Sequence, residues 1–131
     1  MGIRCGVDIV ETARISRMVD RLGKRFLDRV FTPREQADCA VRDTYAMQRL
    51  AVRYAAKEAV SKAFGTGIGA GAAFTEIEIV KDADGAPRAA LHGNAAQTYA
   101  RLRGRELAIS LTHEKAYCVA QAVLLTADGQ P

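Results

Sequence analysis

Asp8, Glu58 and Lys62 are the side chains of this 131-residue sequence that could do chemistry together. Glu58 and Lys62 lie four residues apart in a run of good helix formers, so they meet one turn apart on a helix surface. A carboxylate beside an ammonium at that spacing reads two ways: an exposed ion pair contributing about 0.3 kcal/mol, or a metal ligand next to a phosphate-binding lysine. Asp8 is anomalous in its own stretch. Ile3 to Val10 alternates as a strand, with Ile3, Cys5, Val7 and Ile9 on one face and Arg4, Gly6, Asp8 and Val10 on the other. Aspartate is disfavoured within strands, and a carboxylate held near a core needs a cation or donors. Either Asp8 lies at a strand end and helps start the next helix, or it is a metal ligand.

The element that must position Glu58 and Lys62 is a long helix beginning near Tyr45 and stopping at Gly65. Val52, Ala56, Ala59, Val60, Ala63 and Phe64 recur at three- and four-residue steps, an apolar stripe to lay against a core. Gly65-Thr-Gly-Ile-Gly-Ala-Gly71 follows it and is neither a dinucleotide fingerprint nor a Walker loop. It is a connector, or one wall of a phosphate site beside Lys62. Upstream, Thr12 caps a helix whose buried stripe is Ile15, Met18, Val19 and Leu22, ending at Gly23. Arg14, Arg17 and Arg21 share another face with Lys24 and Arg25 just beyond, forming either a solvated surface or a dock for an acidic helix or polyanion. Phe26, Leu27, Val30 and Phe31 add apolar contacts, and Thr32-Pro-Arg-Glu35 is a capping box opening a short helix. Downstream come a strand from Phe74 to Val80, an Asp84-Gly85 turn, a strand from Arg88 to Leu91 with Pro87 at its start, and a helix capped by Asn94. Leu107 to Leu111 and Tyr117 to Leu125 are the last strands. The predicted fold is α+β, a mainly antiparallel sheet packed on the long central helix in the order β-α-α-α-β-β-α-β-β. Residues 1–126 read as a single domain and 127–131 as a disordered tail.

Composition narrows the function classes. A net charge of +4 favours an acidic partner. Cys5, Cys39 and Cys118 form no C-x-x-C pair and read as reduced thiols, and no leader or membrane-spanning run is evident, so the chain is expected in the cytoplasm. Without Trp, and with four Tyr and four Phe, the aromatic platform expected of a single-stranded nucleic-acid binder is missing.

Gly6-Val-Asp8-Ile-Val-Glu11, Phe31-Thr-Pro33, Arg53-Tyr-Ala-Ala-Lys-Glu58-Ala-Val-Ser-Lys62-Ala-Phe-Gly65-Thr-Gly-Ile-Gly69, Phe74-Thr-Glu-Ile-Glu-Ile79 and Ser110-Leu-Thr-His113 together resemble the holo-acyl-carrier-protein synthases, the small 4'-phosphopantetheinyl transferases. The resemblance runs from Ile3 to Leu125. It implies transfer of 4'-phosphopantetheine from coenzyme A to a serine of apo acyl carrier protein, with release of 3',5'-ADP. It further implies Mg²⁺ on Asp8 and Glu58, with Asp8, Glu58 and Lys62 as the catalytic group, and a coenzyme A site lined by Arg53, Ser61, Lys62, Gly65, Pro87 and His113. Arg14, Arg17, Met18, Arg21, Arg25 and Phe26 match the docking surface for the acidic carrier helix, and members of the family are homotrimers with interfacial active sites. The sequence departs from the pattern at Arg4, where glycine is usual, and in Ser110-Leu-Thr112-His113-Glu114, where many members have Ser-His-Thr. Two other readings stay open on the residues alone: a Mg²⁺-dependent pyrophosphate hydrolase, and a non-catalytic basic module that binds an acidic protein or RNA.

Overall fold

The computed structural model describes residues 1–127. Strand β1 (Gly2–Glu11) leads into helices α1 (Thr12–Leu22), α2 (Lys24–Val30), α3 (Pro33–Asp38) and α4 (Ala46–Phe64). A 3-10 turn at Phe74–Glu76 opens β2 (Ile77–Lys81), followed by β3 (Pro87–Leu91), α5 (Gly93–Arg101), β4 (Gly104–Glu114) and β5 (Tyr117–Thr126). The expected order holds, with one short helix added. Gly23, at φ 58°, ends α1, and its carbonyl then accepts from the amides of Phe26 and Leu27, so the apolar residues that follow start a turn of their own. Phe26 and Val30, four residues apart, are its buried face. Most of the predicted tail falls outside the described residues; Ala127 is bonded through its amide to Arg103 O at 2.9 Å.

Gly6 decides how the long helix meets the sheet. Strands β1, β5 and β4 pair antiparallel in that order, and β2 and β3 form a separate antiparallel hairpin. On the face turned to α4 the sheet carries Gly6, Val10, Cys118, Ala120, Ala122 and Leu124, all buried. Small residues here let the two backbones approach, and a Cβ at Gly6 would lie 2.1 Å from Ala59 O. The predicted stripe of α4 supplies the other side, with Ala56, Ala59, Val60, Ala63 and Phe64 buried. The opposite sheet face is apolar yet open: Ile3 is 75% exposed, Ile9 61% and Val7 58%, beside Val123.

A buried ion pair ties the remaining pieces to α4. Lys57 and Glu35 are both fully buried, with Lys57 Nζ 2.7 Å from Glu35 Oε1. The same ammonium donates to Phe74 O at 2.9 Å and Ile77 O at 2.6 Å. Glu35 accepts in addition from Thr32 N, which completes the predicted capping box, and from Ile79 N. The three donors of the ammonium and both oxygens of the carboxylate are thus engaged, as burial of two charges requires. The strand predicted from Phe74 begins at Ile77 instead. Glu76 turns its carboxylate to the amides of Ala73 and Asn94, which draws Phe74–Glu76 out of the ladder and caps α5 in place of the Asn94 side chain. Thr12 likewise caps nothing: it is the first residue of α1, and its hydroxyl lies 3.6 Å from Cys118 Sγ. Among the described residues no helix is long and apolar enough to cross a membrane.

Candidate active site

Asp8 follows Gly6 by two residues, so the contact that seats β1 on α4 also sets Asp8 against the helix. Lys62 reaches across to it. Its Nζ donates to Asp8 Oδ1 and to Val7 O, each at 3.0 Å. The ion pair that the four-residue spacing allowed with Glu58 is therefore made with Asp8, from a different element. Glu58 stands half-buried one turn away, and its carboxyl is pushed above the usual range first by burial and then by the Asp8 charge, with Lys62 and Arg14 pulling the other way. The Asp8 charge makes Glu58 costlier to ionise, and two carboxyl groups so placed form a site where a cation would be welcome. Among the described residues no group of three or more His, Cys, Asp or Glu side chains gathers. A divalent ion on Asp8 and Glu58 would complete its shell with water or phosphate oxygens, which is the habit of Mg²⁺, and the pair fits it in that sense.

Tyr54 was not singled out from the sequence, although it continues the line Tyr54, Glu58, Lys62 at four-residue steps. Its ring stacks on Phe74 with centroids 5.2 Å apart, and its hydroxyl is pushed up by burial and by the Glu58 charge. Arg14 is the stripe residue whose charge is felt at both Tyr54 and Glu58. Helical wheel arithmetic gave no sign of that, because it depends on how α1 crosses α4.

The remaining expected site residues divide. Ser61 is fully buried, and its hydroxyl donates to Glu58 O at 2.7 Å, steadying the carbonyl of a site residue. Gly65 ends α4 in the left-handed region, φ 81°, with Arg4 against it. Arg53, Pro87 and His113 come together in a cleft with Gln48, Arg49 and Leu111. Arg53 is 6% exposed; its Nη1 donates to Arg49 O while its Nε has no partner, so the cleft holds a buried guanidinium with a donor to spare. Arg53 and Lys62 are nine residues apart, about 2.5 helical turns, and so face opposite sides of α4. One chain brings Asp8, Glu58 and Lys62 together and Arg53, Pro87 and His113 together, but not the two groups.

The family model for the 4'-phosphopantetheinyl transferase superfamily matches residues 4–122. The chain belongs to that superfamily. The holo-[acyl-carrier-protein] synthase of Ruminiclostridium cellulolyticum is 47% identical over 129 residues, 98% of this chain and 96% of that protein. Among solved structures, the holo-[acyl-carrier-protein] synthase of Neisseria meningitidis superposes with a TM-score of 0.86 at 31% identity, covering 94% of this chain and 98% of its own. The Helicobacter pylori synthase, solved with coenzyme A, gives 0.81 at 31% identity over 92% of this chain and 99% of that one.

The transferase presents its basic face on α1 and α2. Arg14, Arg17, Arg21 and Arg25 are all exposed there and Met18 is half-buried. Phe26 is 4% exposed and packs edge-on against Phe31, with centroids 6.2 Å apart, so it is core and not a projecting contact. It still reaches the floor of an apolar groove that Met18, Leu22, Arg25, Tyr54 and Phe74 also line, between the basic face and α4. The groove passes the Tyr54 end of the carboxylate line.

Proposed function

We propose that this phosphopantetheinyl transferase moves the 4'-phosphopantetheine of coenzyme A onto a serine of apo acyl carrier protein, in the cytoplasm, with Mg²⁺ held by Asp8 and Glu58 and 3',5'-ADP as the other product. The observation that carries the reading is the Asp8, Glu58, Lys62 cluster built where β1 crosses α4. Mg²⁺, when bound, supplies charge neutralisation on the pyrophosphate. Lys62 adds a cation at the same place, held by Asp8 and Val7 O, as the serine oxygen attacks the β-phosphorus and the bond to the 3',5'-ADP oxygen breaks. The unpartnered donor of Arg53 and the neighbouring His113 suit the nucleotide phosphates, and the groove floored by Phe26 suits an extended arm. The exposed arginines of α1 and α2 suit an acidic carrier helix, whose encounter they would speed.

A single chain leaves the two phosphate-facing groups on opposite sides of α4, and it leaves Ile3, Val7 and Ile9 open to water on the sheet. A homotrimer in which each site takes Asp8, Glu58 and Lys62 from one chain and Arg53, Pro87 and His113 from the next accounts for both. The test is the mass of an apo carrier after incubation with the protein, coenzyme A and Mg²⁺, alongside Asp8→Ala and Glu58→Ala. Gain of one phosphopantetheine that needs both acids and the metal is expected. Release of 3',5'-ADP without any carrier would favour the hydrolase, and carrier binding indifferent to Mg²⁺ and Glu58 without mass gain would favour the binding module.

A further inference from the structure

We propose that Arg4 is a positioning residue that holds the Gly65–Gly71 loop to the end of α4, and with it the phosphate-facing end of the site; this rests on the reading of that loop given above. The last four carbonyls of a helix have no partner within it. At the end of α4 they are all accounted for. Ser61 O accepts from Thr66 N at 3.3 Å and Gly67 N at 3.2 Å, and Lys62 O accepts from Gly65 N at 2.9 Å. The two that remain, Ala63 O and Phe64 O, are taken by the guanidinium of Arg4, through Nε at 2.9 Å and Nη2 at 3.0 Å. One planar side chain from the first strand closes what the loop's own amides leave open. Its geometry matters, because the rigid fork presents two donors from separate nitrogens, in fixed directions, to two successive carbonyls, whereas an ammonium must serve both from one nitrogen.

The contact also fixes the turn. Arg4 Nη2 occupies the space where a Cβ on Gly65 would fall, 2.5 Å away. The left-handed φ of 81° at Gly65 and the presence of Arg4 are therefore one arrangement: the glycine leaves room for the guanidinium, and the guanidinium holds the carbonyls on either side of the room. Its positive charge lies at the negative end of the helix dipole, one turn beyond the backbone of Lys62 and on the same strand face as Asp8. Arg4 thus reaches the site through the loop and the helix end, not by touching the reacting atoms.

The experiment compares the full-length protein with Arg4→Ala, Arg4→Gln and Arg4→Lys. Backbone hydrogen exchange is read at Thr66 and Gly67, whose amides are bonded to Ser61 O, and at Ala120 and Ala122 in β5 as an internal standard. Loss of about tenfold in protection at the loop in Arg4→Ala, with β5 changed by less than about twofold and Arg4→Lys in between, is expected. In the transfer assay the same variant should raise KM for coenzyme A about fivefold, more than it lowers kcat, and leave KM for the carrier unchanged. Unchanged loop exchange, or loss spread equally over loop and β5, overturns the proposal by reducing Arg4 to a general stabiliser. Arg4→Gln is shorter but keeps the stem and an N–H donor near the place of Nε, which bonds Ala63 O, so it reports on the loop should the alanine variant fail to fold. Absence of transfer by the wild type would sink the reading of the site, and the exchange comparison would then decide on Arg4 by itself.

Discussion

Glu58 is under opposing demands. The metal-binding role proposed for it requires the ionised form, yet burial and the Asp8 charge hold the Glu58 proton on to a higher pH than an ordinary glutamate. As pH rises, the unfolded chain gives up this proton first, so from the ordinary value of 4.5 upward ionisation of Glu58 subtracts from stability, and the subtraction is complete once the raised folded value is passed. Glu58→Gln is therefore expected to raise Tm at neutral pH, by about 2 °C, while removing transfer activity; at a pH below 4.5 the gain should vanish. Thermal melts of both proteins across pH, without metal, check this. Addition of Mg²⁺ should raise Tm of the wild type and leave that of Glu58→Gln where it is. Of the candidate site's residues, Asp8, Glu58 and Lys62 stood out in the sequence because a strand aspartate and a one-turn acid and base are local anomalies. That Lys62 pairs with Asp8 was not, since it depends on where two elements 54 residues apart meet.

At the scale of elements, α4 organises the molecule through two contacts of different kinds. At Gly6 the helix backbone touches the strand, and Gly6→Ala would drive a methyl to 2.1 Å from Ala59 O. The strand must shift or the helix lift, so a loss of about 3 kcal/mol, seen as a fall of about 10 °C in Tm, is expected together with loss of activity through displacement of Asp8. On the far side, removing one partner of the Lys57–Glu35 pair leaves a buried charge alone. Lys57→Met is expected to cost about 3–5 kcal/mol by denaturant unfolding, and the double variant Lys57→Met with Glu35→Leu to recover only part of it, because Phe74 O, Ile77 O and Ile79 N then lose their partners. The sequence showed α4 and its stripe because a 3.6-residue period is written in the residues themselves. It marked Glu35 as a capping residue, which is true, and was silent on Lys57, because nothing in a helix sequence tells a buried lysine from an exposed one until its acceptors, Phe74 O and Ile77 O, are in place. The short helix α2 was hidden for a similar reason: Gly23 looked like an end, and it is also a start.

For the whole molecule the decisive feature is the outer face of the sheet. The alternation in Ile3 to Val10 was plain, but a period of two does not say which face meets the core, and the glycine and aspartate row goes inside while Ile3, Val7 and Ile9 go out. Cys5 is on the same outward row, and it is the exposed cysteine, Cys39 and Cys118 being buried. Val7→Arg is expected to give a monomer by light scattering, at about one-third of the wild-type mass, with little transfer activity and a Cys5 that reacts quickly with a thiol reagent. A wild type that already runs as a monomer with a freely reacting Cys5 would end the trimer reading. The strand order has a further consequence, for how the protein comes into being. Strand β1 lies at the sheet edge with β5 as its paired neighbour, so the residues of β1 wait for those of Tyr117–Thr126, more than a hundred positions later, before their backbone is satisfied. Until β5 is made, β1 lacks its paired strand, and the contact of Asp8 with Lys62 lacks the sheet that frames it. The nascent polypeptide therefore carries α4 and the basic helix before the sheet that frames the Asp8, Glu58, Lys62 cluster is built, and the proposed site is completed in a late step, when β5 joins β1.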